Sequence, residues 1–115
     1  MATVEIIIPA FRFAALNAYL GKHWSVGHKL KKRDKAMVMA YSMGKPKATD
    51  KRRVDLHVTL EGRQKAADPD ALLKSCFDAL VHAGMLKDDT CKLVAIGSIT
   101  YGRGKSETRI TLTDI

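Results

Sequence analysis

The chain of 115 residues lacks the features that mark several classes of protein. It has no run of 18 apolar residues, and no basic segment followed by an apolar stretch at its start, so neither a membrane span nor a signal peptide is expected. Its two cysteines, Cys76 and Cys91, have no further Cys or His at metal-ligand spacing, which argues against a disulfide scaffold and a zinc site. We expect both to be reduced thiols in the core of a cytoplasmic protein with no membrane partner.

The composition is that of one folded domain with an excess of positive charge. Hydrophobic residues make up 46% and charged residues 28% of the chain, which fits a single globular domain over residues 1–115. The formal net charge is +8, and residues 1–65 hold 14 basic and 5 acidic side chains. Such a basic half attracts polyanions, nucleic acid first. The alternative is a solvated basic face that only keeps the chain soluble.

Periodicity predicts the element order β-α-β-α-β-β. We expect strands over 3–8, 53–60, 91–101 and 107–113, helices over 29–43 and 68–83, and a surface loop over 10–27. The predicted fold is therefore an α+β sandwich in which two helices cover one face of a small mixed sheet.

Basic and aromatic side chains of the first half are the candidates for binding nucleic acid. In the predicted loop, Trp24 could stack on unpaired bases, although a single Trp is more often a packing anchor. His57 is expected to face outward from its strand without a ligand role. The complete set of candidate DNA-binding residues is Lys22, Trp24, Lys31, Lys32, Arg33, Lys35, Arg63 and Lys65.

Acidic residues lie at both ends of the second predicted helix. Asp68 and Asp70 begin it, and Asp88 and Asp89 follow it. A helix of this length is about 23 Å long, so the two pairs meet only if the chain beyond Gly84 turns back along the helix. Carboxylates gathered in one pocket would require a hard divalent cation such as Mg²⁺, or Mn²⁺ in its place. Taken singly, these residues are also common as a helix cap, a helical ion pair and a turn.

One stretch of the chain carries a more specific pattern. It begins with Asp68-Pro69-Asp70-Ala71-Leu72-Leu73-Lys74 and continues through Phe77-Asp78-Ala79-Leu80, Ala83-Gly84 and Lys87-Asp88-Asp89. This stretch resembles the signature of the RusA-like Holliday-junction resolvases, which carry a D-x-D-N-x-x-K run, an F-D-A-L helix and a D-D pair. The resemblance covers residues 63–100.

The resemblance implies a homodimeric endodeoxyribonuclease that nicks four-way DNA junctions in symmetric pairs. It implies that Asp68, Asp70 and Asp89 bind Mg²⁺, with Asp88 as an accessory acid, and that Lys74 is the catalytic lysine. Such a protein would be associated with nucleoid or phage DNA. Where the family has an Asn, this chain has Ala71, and its basic run before Asp68 is reduced to Arg63 and Lys65.

Three alternatives follow from these residues. A branched-DNA-binding protein of the same fold would bind junctions with weak or absent cleavage, and Ala71 would be its marker. A nuclease of different specificity would prefer flaps or single-stranded DNA. A basic adaptor would use its charge on an acidic protein, and its affinity for junction DNA would then not fall with salt.

Overall fold

A computed structural model describes residues 2–13, 24–66 and 69–115, with the backbone alone for residues 24–27 and 69–71. The elements are β1 (Thr3–Pro9), α1 (Trp24–Tyr41), β2 (Arg52–Leu60), α2 (Pro69–His82), β3 (Val94–Arg103) and β4 (Glu107–Asp114). The predicted α+β class, with a small mixed sheet and two helices, is confirmed. No helix among the described residues is long and apolar enough to cross a membrane.

The four strands form one sheet in the order β1-β4-β2-β3. β4 pairs antiparallel with both β1 and β2, whereas β2 and β3 run parallel and are joined through α2. A parallel pair needs such a crossover, and the helix returns antiparallel to the strands. The amino end of α2 therefore lies near the end of β2, and its carboxyl end lies near the start of β3.

One face of the sheet and the two helices enclose a single core. Alternate residues of β1 and β2 are buried, among them Ile6 and Leu56, as the period of two requires. Helix α2 contributes Leu72, Cys76 and Leu80 to the same cluster. The other face of the sheet is open, and there the His57 ring accepts or donates a hydrogen bond at 2.6 Å from Thr100 Oγ1.

Several predicted boundaries and placements are corrected by the structure. Helix α1 begins at Trp24, five residues before the predicted start, so Trp24 belongs to the helix and not to the loop. Strand β3 begins at Val94, three residues late, because residues 90–93 form turns in which Leu93 and Val94 N–H groups donate to the Thr90 carbonyl. Cys76 is buried as expected, and burial raises the pKa of its thiol, but Cys91 is exposed.

Arg52 is a buried cation one residue before the predicted start of the second strand. Its side chain is 2% exposed and its guanidinium forms an ion pair with Asp114 at 2.7 Å. It also donates to the carbonyls of Met85 at 3.0 Å and Pro46 at 3.0 Å. One side chain therefore joins the loop before β2, the turn after α2 and the end of β4.

Candidate metal and nucleic-acid site

Helix α2 carries one row of the predicted site residues. Asp70, Lys74 and Asp78 are spaced by four and so follow one side of the helix. Lys74 is exposed and Asp78 is half-buried. Asp70 lies in the first turn of the helix, where only the backbone is described, and Asp68 lies outside the described residues. The helix begins here because Pro69 suits a first helical position, and it ends before Gly84, whose φ of 77° is the left-handed conformation of a cap.

The turn after α2 fixes Asp88 and Asp89 at the carboxyl end of that helix. Met85 and Leu86 are each 1% exposed, and both of their N–H groups donate to the Leu80 carbonyl. Asp88 and Asp89 follow within three residues and are exposed to solvent. In addition, the Asp88 carboxylate accepts a hydrogen bond from the Asp89 N–H at 2.8 Å. The pair is therefore held near the last turn of α2.

A depression of about 390 Å³ lies at this end of α2. It brings the predicted Asp88 and Asp89 together with Lys35 of α1, which the sequence assigned to DNA binding. Among the described residues, its lining is Lys35, Asp78, Val81, His82, Asp88 and Asp89. Three carboxylates thus share an open cavity with two side chains that can carry positive charge.

Asp78 and His82 are the titratable members of this depression that were not predicted as site residues. They lie four residues apart on α2, so they share one side of the helix with Lys74. The spacing was visible in the sequence. Only the fold, however, shows that this side of α2 meets the Asp88–Asp89 turn and α1.

The structure does not bring the first turn of α2 to the depression. Asp70 and His82 are 12 residues apart on the helix, which corresponds to about 18 Å along its axis. Asp78 is about 12 Å from the level of Asp70 by the same rise per residue. From the sequence, the two acidic pairs meet only if the chain beyond Gly84 turns back along the helix, as a strand starting near Asp89 would do. Strand β3 runs toward the amino end of α2, but it starts only at Val94. Its last residue, Arg103, therefore lies near that end, and Asp88 and Asp89 do not.

The carboxylates of the depression suit a hard cation. Asp78, Asp88 and Asp89 present only carboxylate oxygens, which Mg²⁺ and Mn²⁺ prefer over nitrogen and sulfur ligands. Within residues 2–13, 24–66 and 69–115, no three His, Cys, Asp or Glu side chains stand close enough together to hold an ion.

Of the basic side chains of α1, Lys35 lines the depression. Lys31, Lys32 and Arg33 are exposed, and Lys35 is half-buried. Arg33 has a structural role as well, since its guanidinium donates to Asp34 at 2.7 Å and to the Arg12 carbonyl at 2.9 Å. The same guanidinium lies 5.2 Å from the centre of the Phe11 ring. Arg33 thus ties α1 to the segment after β1.

A second basic group lies at the opposite end of α2. Arg63 and Lys65 are exposed in the loop between β2 and α2. Arg103, the last residue of β3, donates to the Gln64 carbonyl at 2.7 Å, and Arg12 donates to the Lys65 carbonyl at 3.4 Å. These arginines hold the loop that leads to Asp68 and Asp70. Lys22 lies outside the described residues, and of Trp24 only the backbone is described.

Comparison with known proteins adds no assignment. No protein-family model matches the chain, and no curated protein matches it at a significant level.

Proposed function

We propose that this protein is a Mg²⁺-dependent endodeoxyribonuclease of the RusA-like type that resolves Holliday junctions or other branched DNA by paired nicks. The observation that carries the proposal is the depression in which Asp88 and Asp89 meet Lys35 of the basic helix α1. The D-D signature pair thus shares one cavity with a basic side chain of α1. The proposed partners are a four-way DNA junction and a second copy of the chain.

The basic residues would bind the DNA backbone. Lys31, Lys32 and Lys35 lie within five residues of one another on α1, so they present a compact positive surface for phosphates. Arg63 and Lys65 offer a second contact near the amino end of α2. The two groups flank α2, and DNA that follows both would cross the carboxylates between them.

The carboxylates and Lys74 would perform the chemistry. Asp68, Asp70, Asp88 and Asp89 would hold the metal ion, which when bound supplies a Lewis acid for the scissile phosphate and a water of lowered pKa. Lys74, exposed on the same side of α2, would neutralise the charge that builds up on the phosphate during attack. A dimer would place two such sites about a twofold axis, as paired symmetric nicks require.

Cleavage of a labelled four-way junction in Mg²⁺ of about 10 mM, an excess suited to weak carboxylate sites, tests the proposal. We expect paired symmetric nicks that disappear in Asp70→Asn. The matched control is Asp50→Asn, an exposed aspartate before β2 whose carboxylate only accepts a hydrogen bond from the Lys51 N–H. This control should cleave like the original protein.

Three results would overturn parts of the proposal. Tight junction binding without cleavage would indicate the binding protein marked by Ala71, and Ala71→Asn would then be the variant to examine for regained cleavage. Preferential cleavage of a single strand or flap of equal length would exclude junction specificity. Junction affinity independent of salt would exclude DNA as the partner of the basic surface.

A further inference from the structure

The arginines of the chain differ in the partners of their guanidinium groups. Those that form ion pairs with carboxylates of described residues are Arg33, Arg52, Arg53 and Arg109. Arg12, Arg63 and Arg103 form no ion pair within the described part of the chain, and all three are exposed. These three, here called the arginine cluster, therefore carry charge that no described carboxylate neutralises.

The loop between β2 and α2 holds Arg63 in a closed turn. The Gln64 N–H donates to the Glu61 carbonyl at 3.1 Å, and the Gln64 side-chain oxygen accepts from the Glu61 N–H at 2.8 Å. Gly62 has a φ of 60°, a left-handed conformation that glycine adopts at no steric cost. Arg103 donates to the carbonyls of Gly62 at 3.3 Å and Gln64 at 2.7 Å. Its guanidinium therefore lies beside the backbone of Arg63.

Arg12 brings the third guanidinium to the same loop. It follows β1, and its Nη1 atom donates to the Lys65 carbonyl at 3.4 Å. The Gln64 and Lys65 carbonyls belong to adjacent residues, so the Nη1 atoms of Arg12 and Arg103 lie within about 12 Å of each other. One strand of duplex DNA carries a negative charge about every 3.4 Å along the axis. The arginine cluster thus spans a few successive phosphates.

Main-chain carbonyls orient these arginines without neutralising them. A guanidinium has five N–H donors, and the described contacts of Arg103 use Nη1 alone. Its Nη2 and Nε groups can then form the bidentate pair with a phosphate that suits arginine. A side chain that is already oriented also loses less conformational entropy on binding.

The arginine cluster lies at the edge of the sheet where three strands end. β1 and β2 both run antiparallel to β4, and β2 runs parallel to β3, so the carboxyl ends of β1, β2 and β3 share this edge. Open sheets with parallel strands bind ligands beyond these ends. Helix α2 begins here as well, with Asp70 in its first turn. A DNA strand bound to the cluster would therefore lead to the amino end of α2.

We propose that the arginine cluster binds successive phosphates of one DNA strand and positions that strand at the amino end of α2. This inference rests on the DNA-binding part of the proposed function. Arg63 is a candidate from the sequence, whereas Arg12 and Arg103 are added by the fold. All three are positioning residues that hold phosphates beside the cleaved one.

Junction affinity measured in EDTA at several salt concentrations tests the arginine cluster. Arg12→Gln and Arg103→Gln should each reduce the slope of log affinity against log salt by about 0.9, because each removes one phosphate contact. The matched control is Arg53→Gln, an arginine 51% exposed at the start of β2 and paired with Asp55, and it should keep the original slope. Circular dichroism checks folding. Arg12 makes only one bond, at 3.4 Å, so its variant tests the cluster even if Arg103→Gln loosens the loop.

A neutral phosphate analogue separates a phosphate contact from a structural role. Methylphosphonates placed one at a time along a junction strand should lower the affinity of the original protein about tenfold at each contacted phosphate. At one such position Arg103→Gln should show no further loss, and at another Arg12→Gln should show none, since the contact is already absent. If both variants lose as much as the original protein at every position, these arginines only hold the loop and the inference is wrong.

The remaining outcomes separate this inference from the proposed nuclease. If the original protein cleaves junctions and both variants keep its salt slope, the arginine cluster does not bind DNA, while the nuclease stands. If the slopes and the methylphosphonate losses are as expected but no cleavage occurs in Mg²⁺, the nuclease fails and the phosphate site stands. An equal change in slope for Arg53→Gln would reduce the effect to net charge. Tighter binding of polyglutamate than of a DNA strand of equal charge would assign the cluster to an acidic protein instead.

Discussion

Lys74 is the residue whose removal should separate binding from cleavage. It is exposed on the side of α2 that also carries Asp70 and Asp78. Lys74→Ala should lower the cleavage rate about 100-fold or more, because a charge that stabilises the transition state is lost. Junction affinity measured in EDTA should fall less than about tenfold, as expected for the loss of one phosphate contact. Lys105→Ala, in the turn between β3 and β4, should leave cleavage unchanged.

The Asp55 carboxylate, on the open face of the sheet, should make the free energy of unfolding depend on pH. Burial raises the pKa of its carboxyl, but hydrogen bonds from the Ser98 N–H and hydroxyl and the ion pair with Arg53 outweigh burial and hold that pKa below its ordinary value. The stabilisation is therefore present above the unfolded pKa, about 3.9, and is lost as pH falls through the folded value.

Asp55→Ala should consequently lower the free energy of unfolding by about 1 kcal/mol at pH 7. Urea titrations at several pH values should show the difference from the original protein shrinking below about pH 4. Glu5→Ala is the control on the same face, since Glu5 reaches Arg109 only at 4.0 Å. A difference that stays constant down to pH 2 would contradict the role assigned to the Asp55 charge.

The interior of β2 and the strand-helix alternation were predictable, whereas the irregularities were not. Val54, Leu56 and Val58 alternate with polar residues, so the period of two identifies both strand and core face. Strand β3 has a β-bulge, with one extra residue opposite the stretch from Val54 to Leu56. The bulge could not be predicted from the sequence, because it is caused by a tertiary contact. A side chain at Gly97 would collide with the Asp55 carboxylate, so the bulge depends on a contact 42 positions away.

The sequence names candidate site residues but not their arrangement. The resemblance named Asp88 and Asp89, and their turn follows from Gly84 and the buried Leu86. The position of the turn at the carboxyl end of α2 is fixed in part by Arg52, which donates to the Met85 carbonyl. A buried arginine cannot be recognised from local pattern, since two of its partners, Met85 and Asp114, lie 33 and 62 positions away.

Arg52 should be the strongest link between the elements around the site. Arg52→Met should lower the free energy of unfolding by about 3 kcal/mol, because Asp114 loses its ion pair and the Met85 and Pro46 carbonyls lose their donor. Urea denaturation measures this loss. The matched control is its neighbour Arg53→Met, whose side chain is 51% exposed, and a loss below about 1 kcal/mol is expected. Equal losses would show that Arg52 is an ordinary surface cation.

The two faces of the molecule should differ in their dependence on salt. Lys32 lies on the basic helix, whereas Arg109 lies 45% exposed on the open sheet face opposite the helices. If α1 binds DNA, Lys32→Gln should reduce the slope of log affinity against log salt by about 1, and Arg109→Gln should not change it. Fluorescence anisotropy of a labelled junction at several salt concentrations measures both slopes. Equal changes in slope for the two variants would indicate that DNA binding depends on the net charge and not on one face of the molecule.

The position of β4 has a consequence for how the chain acquires its structure. This strand comes last in sequence but lies between β1 and β2, and its end bonds back to Ala2 through the Asp114 N–H. During synthesis, β1 has no strand to pair with until residues 107–114 leave the ribosome. This apolar strand therefore stays unpaired in the nascent chain. Joining residues 2 and 115 by a short linker and opening the chain at Gly104 would bring β4 to β1 as a local hairpin, and refolding should then become faster.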